Sequence, residues 1–168
     1  IEKVLLSQTL GNVDLISTEI QFCQGRRRAD LVCLIDGKLH GFEIKGPKDN
    51  VSSLQNQIKA YESSFEYVWA VFSGKHRKGI RKRISKNVGM IEINSLDDLG
   101  VIRKAQERKM LDKNMLASLI PADRLKELQK HSDKDLQRYR QSVARNQTVS
   151  KMKDLVKETM LEKYKERY

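Results

Sequence analysis

The chain holds only two cysteines, Cys23 and Cys33, among 168 residues. Two cysteines cannot make a zinc or four-cysteine cluster unaided. Both sit in strand-like apolar stretches, so reduced, buried thiols are expected. No apolar run approaches the length that spans a bilayer, and no secretory h-region is visible. The expectation is therefore a cytoplasmic protein without a membrane partner. The first residue is Ile1 rather than Met, which leaves a trimmed N-terminal piece, signal included, open. Only three histidines occur, and they are scattered. His40 reads as structural, His76 as a phosphate contact or a bystander, and His131 as part of the tail. There is no Ser/His/Asp arrangement, no phosphate-cradling Gly-rich loop and no His-based metal spacing. Aromatics are few, at 6%, and do not interleave with the basic runs, so single-strand stacking platforms are not indicated. No internal repeat or low-complexity linker stands out.

What the chain does have is positive charge. The net charge is +11, with 39% hydrophobic and 33% charged residues. That composition is globular, and the excess favours a polyanionic partner such as nucleic acid. Residues 1–100 hold 15 basic against 12 acidic side chains, and residues 101–168 hold 18 against 10.

The most informative stretch is Arg28 to Lys45, R-A-D-L-V-C-L-I-D-G-K-L-H-G-F-E-I-K. Asp36-Gly37 is the dipeptide that a two-residue type I′ hairpin turn prefers. With that turn, opposed residue numbers sum to 73, so Ile35 faces Lys38, Leu34 faces Leu39 and Asp30 faces Glu43. Alternation puts Lys45 on the face of Glu43, and Ile44 and His40 on the other. Directly opposed Cβ atoms lie about 5 Å apart, and like charges there are destabilising. Two carboxylates so held, beside an ammonium, call for a divalent cation. Gln24-Gly25 is a second candidate turn, with opposed numbers summing to 49. Glu19 would then join the acidic row, whereas a one-residue slip would put it on the wrong face.

The remaining pattern predicts a helix over residues 1–10, a strand from Val13 to Cys23, and the hairpin strands. Gly46-Pro47 ends the last of these. A helix follows to about Ser63, with Val51, Leu54, Ile58 and Tyr61 as its apolar stripe. Tyr67 to Phe72 reads as a strand covered on both faces. Lys75 to Lys86 reads as a basic helix and Val88 to Ile93 as a short strand. The fold class is therefore α/β, a mixed central sheet flanked by helices. From about Asp97 no strand pattern appears, and helices are expected at Met110–Ile120, from Pro121 to about Lys130, at Leu136–Val143, and after Thr148 with Val149, Met152, Val156 and Met160 on one side. The chain divides at residue 96 into an α/β core, 1–96, and a helical C-terminal region, 97–168. That region either forms a small bundle of its own or packs on the sheet.

Asp30 followed by Glu43-Ile44-Lys45 across a hairpin resembles the PD-(D/E)xK nuclease superfamily, with its restriction-endonuclease-like fold. The G-R-R-R-A-D…G-F-E-I-K stretch, with Gln57 and Tyr61 following, is similar to a branch of small bacterial proteins associated with DNA repair or defence. Ala29 stands where the superfamily's name puts proline. The resemblance implies that Asp30, Glu43 and the backbone at Ile44 hold Mg²⁺ or Mn²⁺, and that Lys45 positions the attacking water or offsets phosphate charge. For Glu19 two roles stand side by side, a third metal ligand and an ordinary exposed glutamate. Gln57 and Tyr61 share a helix face. Q-x-x-x-Y after E-x-K is similar to RecB-type nucleases, where it lines the active site. Gln57 is then expected to bond a phosphate or the Lys45 ammonium. Arg26, Arg27, Arg28, Lys75, Arg77, Lys78, Arg81, Lys82 and Arg83 are the candidate phosphate contacts, and each is as readily a solvated charge. The implied activity is metal-dependent hydrolysis of DNA phosphodiesters, with dimerisation plausible because a duplex has two strands. The alternatives are a non-catalytic nucleic-acid-binding module on the same fold and an RNA endonuclease.

Overall fold

A computed structural model describes residues 3–95, 98–128 and 135–164 of the chain. In order the elements are α1 (Lys3–Leu10), β1 (Val13–Phe22), β2 (Arg27–Ile35), β3 (Lys38–Lys45), α2 (Leu54–Ser64), β4 (Tyr67–Ser73), α3 (Arg77–Arg83), β5 (Gly89–Ser95), β6 (Asp98–Arg103), α4 (Lys113–Leu119), α5 (Ala122–Leu128), α6 (Leu136–Asn146) and α7 (Val149–Tyr164). The six strands form one sheet in sequential order. β1, β2 and β3 run antiparallel, β3, β4 and β5 parallel, and β6 antiparallel at the far edge. The protein is thus α/β, a mixed sheet flanked by helices, with helices at its C-terminal end. No described helix is long and apolar enough to cross a membrane.

Both hairpins follow the turn chemistry. Asp36 and Gly37 have φ of 50° and 67°, and Gln24 and Gly25 have 59° and 78°. Positive φ at both central residues is the type I′ requirement. The registers sum to 73 and 49 as the turns dictate, from Ile35↔Lys38 to Leu31↔Phe42 and from Phe22↔Arg27 to Leu15↔Leu34. Val13↔Ile35 is shifted by one residue.

The sheet separates two apolar clusters. One gathers Leu15, Phe22, Val32, Leu34, Ala70 and Phe72 under residues of α2, α4 and α7. The other gathers Ile16, Cys33, Phe42, Trp69 and Val71 under Leu6 of α1. β4 alternates between the two, which is why Tyr67–Phe72 is a continuous apolar run. Both cysteines are free, and burial pushes the Cys33 thiol up to about 12.

Several expectations change: Cys23 is only half-buried, and the helix expected at Met110–Ile120 runs from Lys113 to Leu119 behind an Asp112 cap. A strand does lie beyond residue 97. β6 is a half-exposed edge strand, D-L-G-V-I-R, and an edge buries too little to write a clear alternation. The basic helix is also shorter than Lys75–Lys86, because Gly74–His76 is a 3-10 turn before α3. The C-terminal helices pack on the sheet. α4 and α7 both contact β1, and Leu116, Ile120, Met152, Val156 and Met160 join the cluster of Phe22 and Leu34. One core therefore draws on both sides of the boundary at 96. His131 and the expected helix end at Lys130 lie outside the described residues.

Candidate active site

Glu43 and Lys45 sit on β3, paired in parallel with Ala70 and Phe72 of β4. Ala70 and Phe72 belong to the α2 side of the sheet, so alternation turns both charged side chains into that side. Glu43 is 2% exposed and Lys45 9%. Their Nζ–Oε1 distance is 2.7 Å. A buried ion pair repays its desolvation only with further hydrogen bonds, and here the supply is short. Burial pushes the Glu43 carboxyl above its ordinary range. The hydrogen bond from Lys45 opposes this, the charge of Asp30 adds to it, and the Tyr61 hydroxyl within reach opposes it.

Asp30 stands at a break in the sheet. The ladder runs Thr18↔Leu31 and then Ile20↔Ala29, so residues 19 and 30 are opposed without pairing. Glu19 has φ of 58°, a left-handed value that β-strands do not use. On both strands the alternation shifts there. Leu15 and Ile20 share a cluster although five apart, and Ala29 and Val32 share it although three apart. The β2–β3 ladder likewise stops at Leu31↔Phe42. Asp30 and Glu43 therefore do not form the expected ladder pair. Instead the Asp30 carboxylate accepts from the Ile44 N–H at 2.8 Å. The Asp30 N–H donates to the Tyr61 hydroxyl at 3.1 Å, and that hydroxyl donates to the Phe42 carbonyl at 3.3 Å. Tyr61 stitches the two separated strands together.

Tyr61 is 1% exposed and packs edge-on against Phe22, with centroids 5.0 Å apart. A Cβ at Gly41 would come within 2.5 Å of the Phe65 ring and 2.8 Å of Tyr61, so β3 needs glycine there to let α2 approach. Burial, followed by the charges of Glu43 and Asp30, raises the phenol pKa, so the hydroxyl stays protonated and able to donate.

The other expected residues are placed as follows. Gln57 is half-buried and accepts from the Ser53 hydroxyl at 3.1 Å, while Lys45 takes Glu43 as its partner. Glu19 is exposed and pairs with Arg28 at 2.8 Å. It does not join the acidic pair: among the described residues no three His, Cys, Asp or Glu gather to hold a metal. Arg28 pairs with Gln21 in the β1 ladder. Arg26 is exposed and Arg27 half-buried near the tip of that hairpin. Lys75, Arg77, Lys78, Arg81, Lys82 and Arg83 are exposed around the one buried anchor, Ile80. This basic segment starts beside the site, because His76 Nε2 meets the Gly46 carbonyl at 3.0 Å, one residue past Lys45. Arg77 is held by an ion pair to Glu92, a buried acid of β5.

The sequence reading missed two buried acids, Glu66 and Glu92. Glu66 follows Phe65 and precedes the apolar run of β4, and its side chain is fully buried. It accepts from the Leu39 N–H at 2.9 Å and pairs with Lys153 at 2.9 Å, Lys157 at 3.2 Å and Lys38 at 3.6 Å. A lone acid at the mouth of a hydrophobic strand was the available signal.

A family model described as bacteriophage P4 protein cII matches residues 1–168. The chain belongs to that family. Protein cII of Enterobacteria phage P4 is 34% identical over 116 residues, which is 67% of this chain and 44% of the phage protein. The chain of this cII-family protein therefore spans less than half the length of that relative. Among solved structures, a protein of unknown function from Silicibacter pomeroyi is 18% identical with a TM-score of 0.46, over 71% of this chain and 84% of that one.

Proposed function

We propose that this cII-family protein is a metal-dependent nuclease of PD-(D/E)xK type that hydrolyses DNA phosphodiester bonds in the cytoplasm, in repair or defence. The observation that carries the reading is the under-compensated carboxylate of Glu43. It is buried, pushed towards protonation by Asp30, and offset among the described residues by the ammonium of Lys45 alone. It lies near the carboxyl end of β3 among parallel strands, where open α/β sheets bind ligands. A basic segment begins one residue away.

The donors suit a hard cation. Asp30, Glu43 and the Ile44 carbonyl would hold Mg²⁺ or Mn²⁺, with waters completing the shell. A dication there offsets the charge that Lys45 alone does not. When bound, the ion acts as a Lewis acid on a phosphate oxygen and lowers the pKa of a water. Lys45 offsets charge developing on the phosphoryl group, a role that a low-dielectric site strengthens. Tyr61 fixes Asp30 relative to β3. Arg26, Arg27, Arg28 and the basic residues from Lys75 to Arg83 neutralise neighbouring phosphates without reading sequence.

The test is cleavage of single- and double-stranded DNA by purified protein with Mg²⁺ or Mn²⁺, alongside Glu43→Gln. Loss of cleavage in the variant supports the reading, and equal products from both proteins remove it. An RNA competitor separates an RNA endonuclease from a deoxyribonuclease. A second reading, a non-catalytic nucleic-acid-binding module, draws on the Asp30 carboxylate being engaged by the Ile44 N–H. Calorimetry separates the two: a nuclease takes up Mn²⁺ and Asp30→Asn abolishes the uptake, whereas a binding module takes up none.

A further inference from the structure

The sheet face turned away from Glu43 and Lys45 carries a second concavity. Its helix, α1, has 8 residues and is about 12 Å long. Six strands span about 24 Å. α1 touches both β1 and β6, the two sheet edges, so the sheet curls around it. A cavity of about 210 Å³ remains near the end of α1, lined in part by His40, Tyr67, Trp69, Asp36, Lys38 and Lys104.

The lining is chemically specific. The rings are nearly parallel: His40 to Tyr67 is 4.5 Å at 18°, and His40 to Trp69 is 6.3 Å at 14°. Trp69 Nε1 donates to His40 Nδ1 at 3.1 Å. Burial holds the His40 pKa down to about 4, so the ring is neutral at pH 7. With Nδ1 accepting, the ring proton is on Nε2. His40 is 6% exposed, yet that N–H meets no acceptor among the described residues. It is not one of the buried polar atoms left without a partner, so it opens towards the cavity that His40 lines. Lys38 is committed to Glu107 at 2.6 Å and to Glu66. The Asp36 carboxylate accepts from the Asn12 N–H at 3.1 Å. Lys104 is exposed and has no ion pair among the described residues.

We propose that this cavity binds a nucleobase that carries a phosphate, either as a free nucleotide or at the end of a strand. The base extends the parallel series of rings, and a ring nitrogen or carbonyl accepts from His40 Nε2. Lys104 meets the phosphate at the mouth. A cavity of ~150 Å³ lined by apolar side chains takes up benzene, so the larger space here admits a fused bicycle with its sugar outside. This proposal is independent of the nuclease reading, because it uses the opposite face of the sheet.

Trp69 is the chain's one tryptophan, so intrinsic fluorescence reports on this cavity directly. The full chain is titrated with adenosine 5′-monophosphate, adenosine, ribose 5-phosphate and a short 5′-phosphorylated oligodeoxynucleotide. The expected result is quenching by the monophosphate at about tenfold lower concentration than by adenosine, the size of one charge-assisted contact. Ribose 5-phosphate leaves the signal unchanged. Lys104→Ala, an exposed change that does not threaten folding, brings the monophosphate to the affinity of adenosine. His40→Phe weakens both. Glu43→Gln, on the other face of the sheet, leaves the adenosine and monophosphate titrations unaltered. Quenching by the oligonucleotide and not by the monophosphate assigns the site to a strand end, and the reverse assigns it to a free nucleotide. No quenching by any base-containing probe overturns the proposal. So does equal quenching by ribose 5-phosphate, or a monophosphate preference that survives Lys104→Ala.

Discussion

Glu43 and Glu66 are both buried glutamates, and folding treats them oppositely. Burial penalises both carboxylates. For Glu66 the Leu39 N–H and then the ammonium groups of Lys153 and Lys157 outweigh that penalty, and its carboxyl lies below the ordinary range. For Glu43 burial, reinforced by Asp30, wins over one lysine and one phenol, and its carboxyl lies above it. The difference separates an acid that holds the structure together from one that the structure tolerates. Glu66 clamps α7 to the start of β3 and β4. Glu43 is left short of positive charge, the usual condition of a residue reserved for a ligand.

The sharpest break of this comparison is substitution. Glu43→Gln is expected to lower DNA cleavage on the order of 10³-fold and to lower stability at pH 7 less than the loss of Glu66 does, because a single buried ammonium, Lys45, loses its carboxylate, as read by urea denaturation. Glu66→Ala is expected to lower stability by about 3 kcal/mol, because the lysines lose a fully buried partner. Its cleavage per folded molecule should stay near wild type. If Glu43→Gln destabilises as much as Glu66→Ala, the two acids are both structural and the contrast fails.

Tyr61→Phe is the next largest effect. It removes an acceptor for the Asp30 N–H and a donor to Phe42, and should cost about 1–2 kcal/mol by denaturation. Cleavage should fall more than stability alone explains, since Asp30 is freed to move.

A pH series sharpens the contrast through its signs. Stability rises with pH wherever the unfolded chain binds more protons. Glu66, with its folded pKa depressed, contributes stability that is present above the unfolded carboxylate pKa and lost as pH falls through the folded value. Glu43, with its folded pKa raised, favours the fold below the unfolded pKa, and that contribution is lost as pH rises through the folded value. Glu66→Ala should therefore flatten the acid limb of a stability-against-pH curve, and Glu43→Gln should flatten the limb just above it. Cleavage should rise with pH through the raised Glu43 value, because the ionised form is needed.

The smallest effect is expected at Glu19→Gln. Its partner Arg28 is exposed, and such pairs contribute within about 1 kcal/mol. Cleavage should change less than about threefold. A loss comparable to Glu43→Gln would move Glu19 into the site despite its pairing with Arg28.

The legible part of the fold was local. Asp36-Gly37 and Gln24-Gly25 set the registers, and alternation placed Glu43 with Lys45 and put His40 on the other face. Less legible was β6, whose half-exposed edge position leaves no strong pattern. Asp30 was placed on the correct strand and beside Glu43, but its bonding was not foreseen. The left-handed Glu19 interrupts both strands at that position, and a break in alternation has no compositional mark when the flanking residues are themselves apolar.

What the sequence determined by itself is the pair of hairpins and the face on which each of their side chains stands, because a type I′ turn and a two-residue repeat act over neighbouring residues. What only the tertiary structure decided is charge balance. Lys153 and Lys157 reach Glu66 from 87 and more residues away, and they are on hand only because α7 packs across the sheet. Among the described residues nothing comparable reaches Glu43. A carboxylate's free energy sums over everything within a few ångströms, and proximity of that kind exists only once the chain has closed on itself.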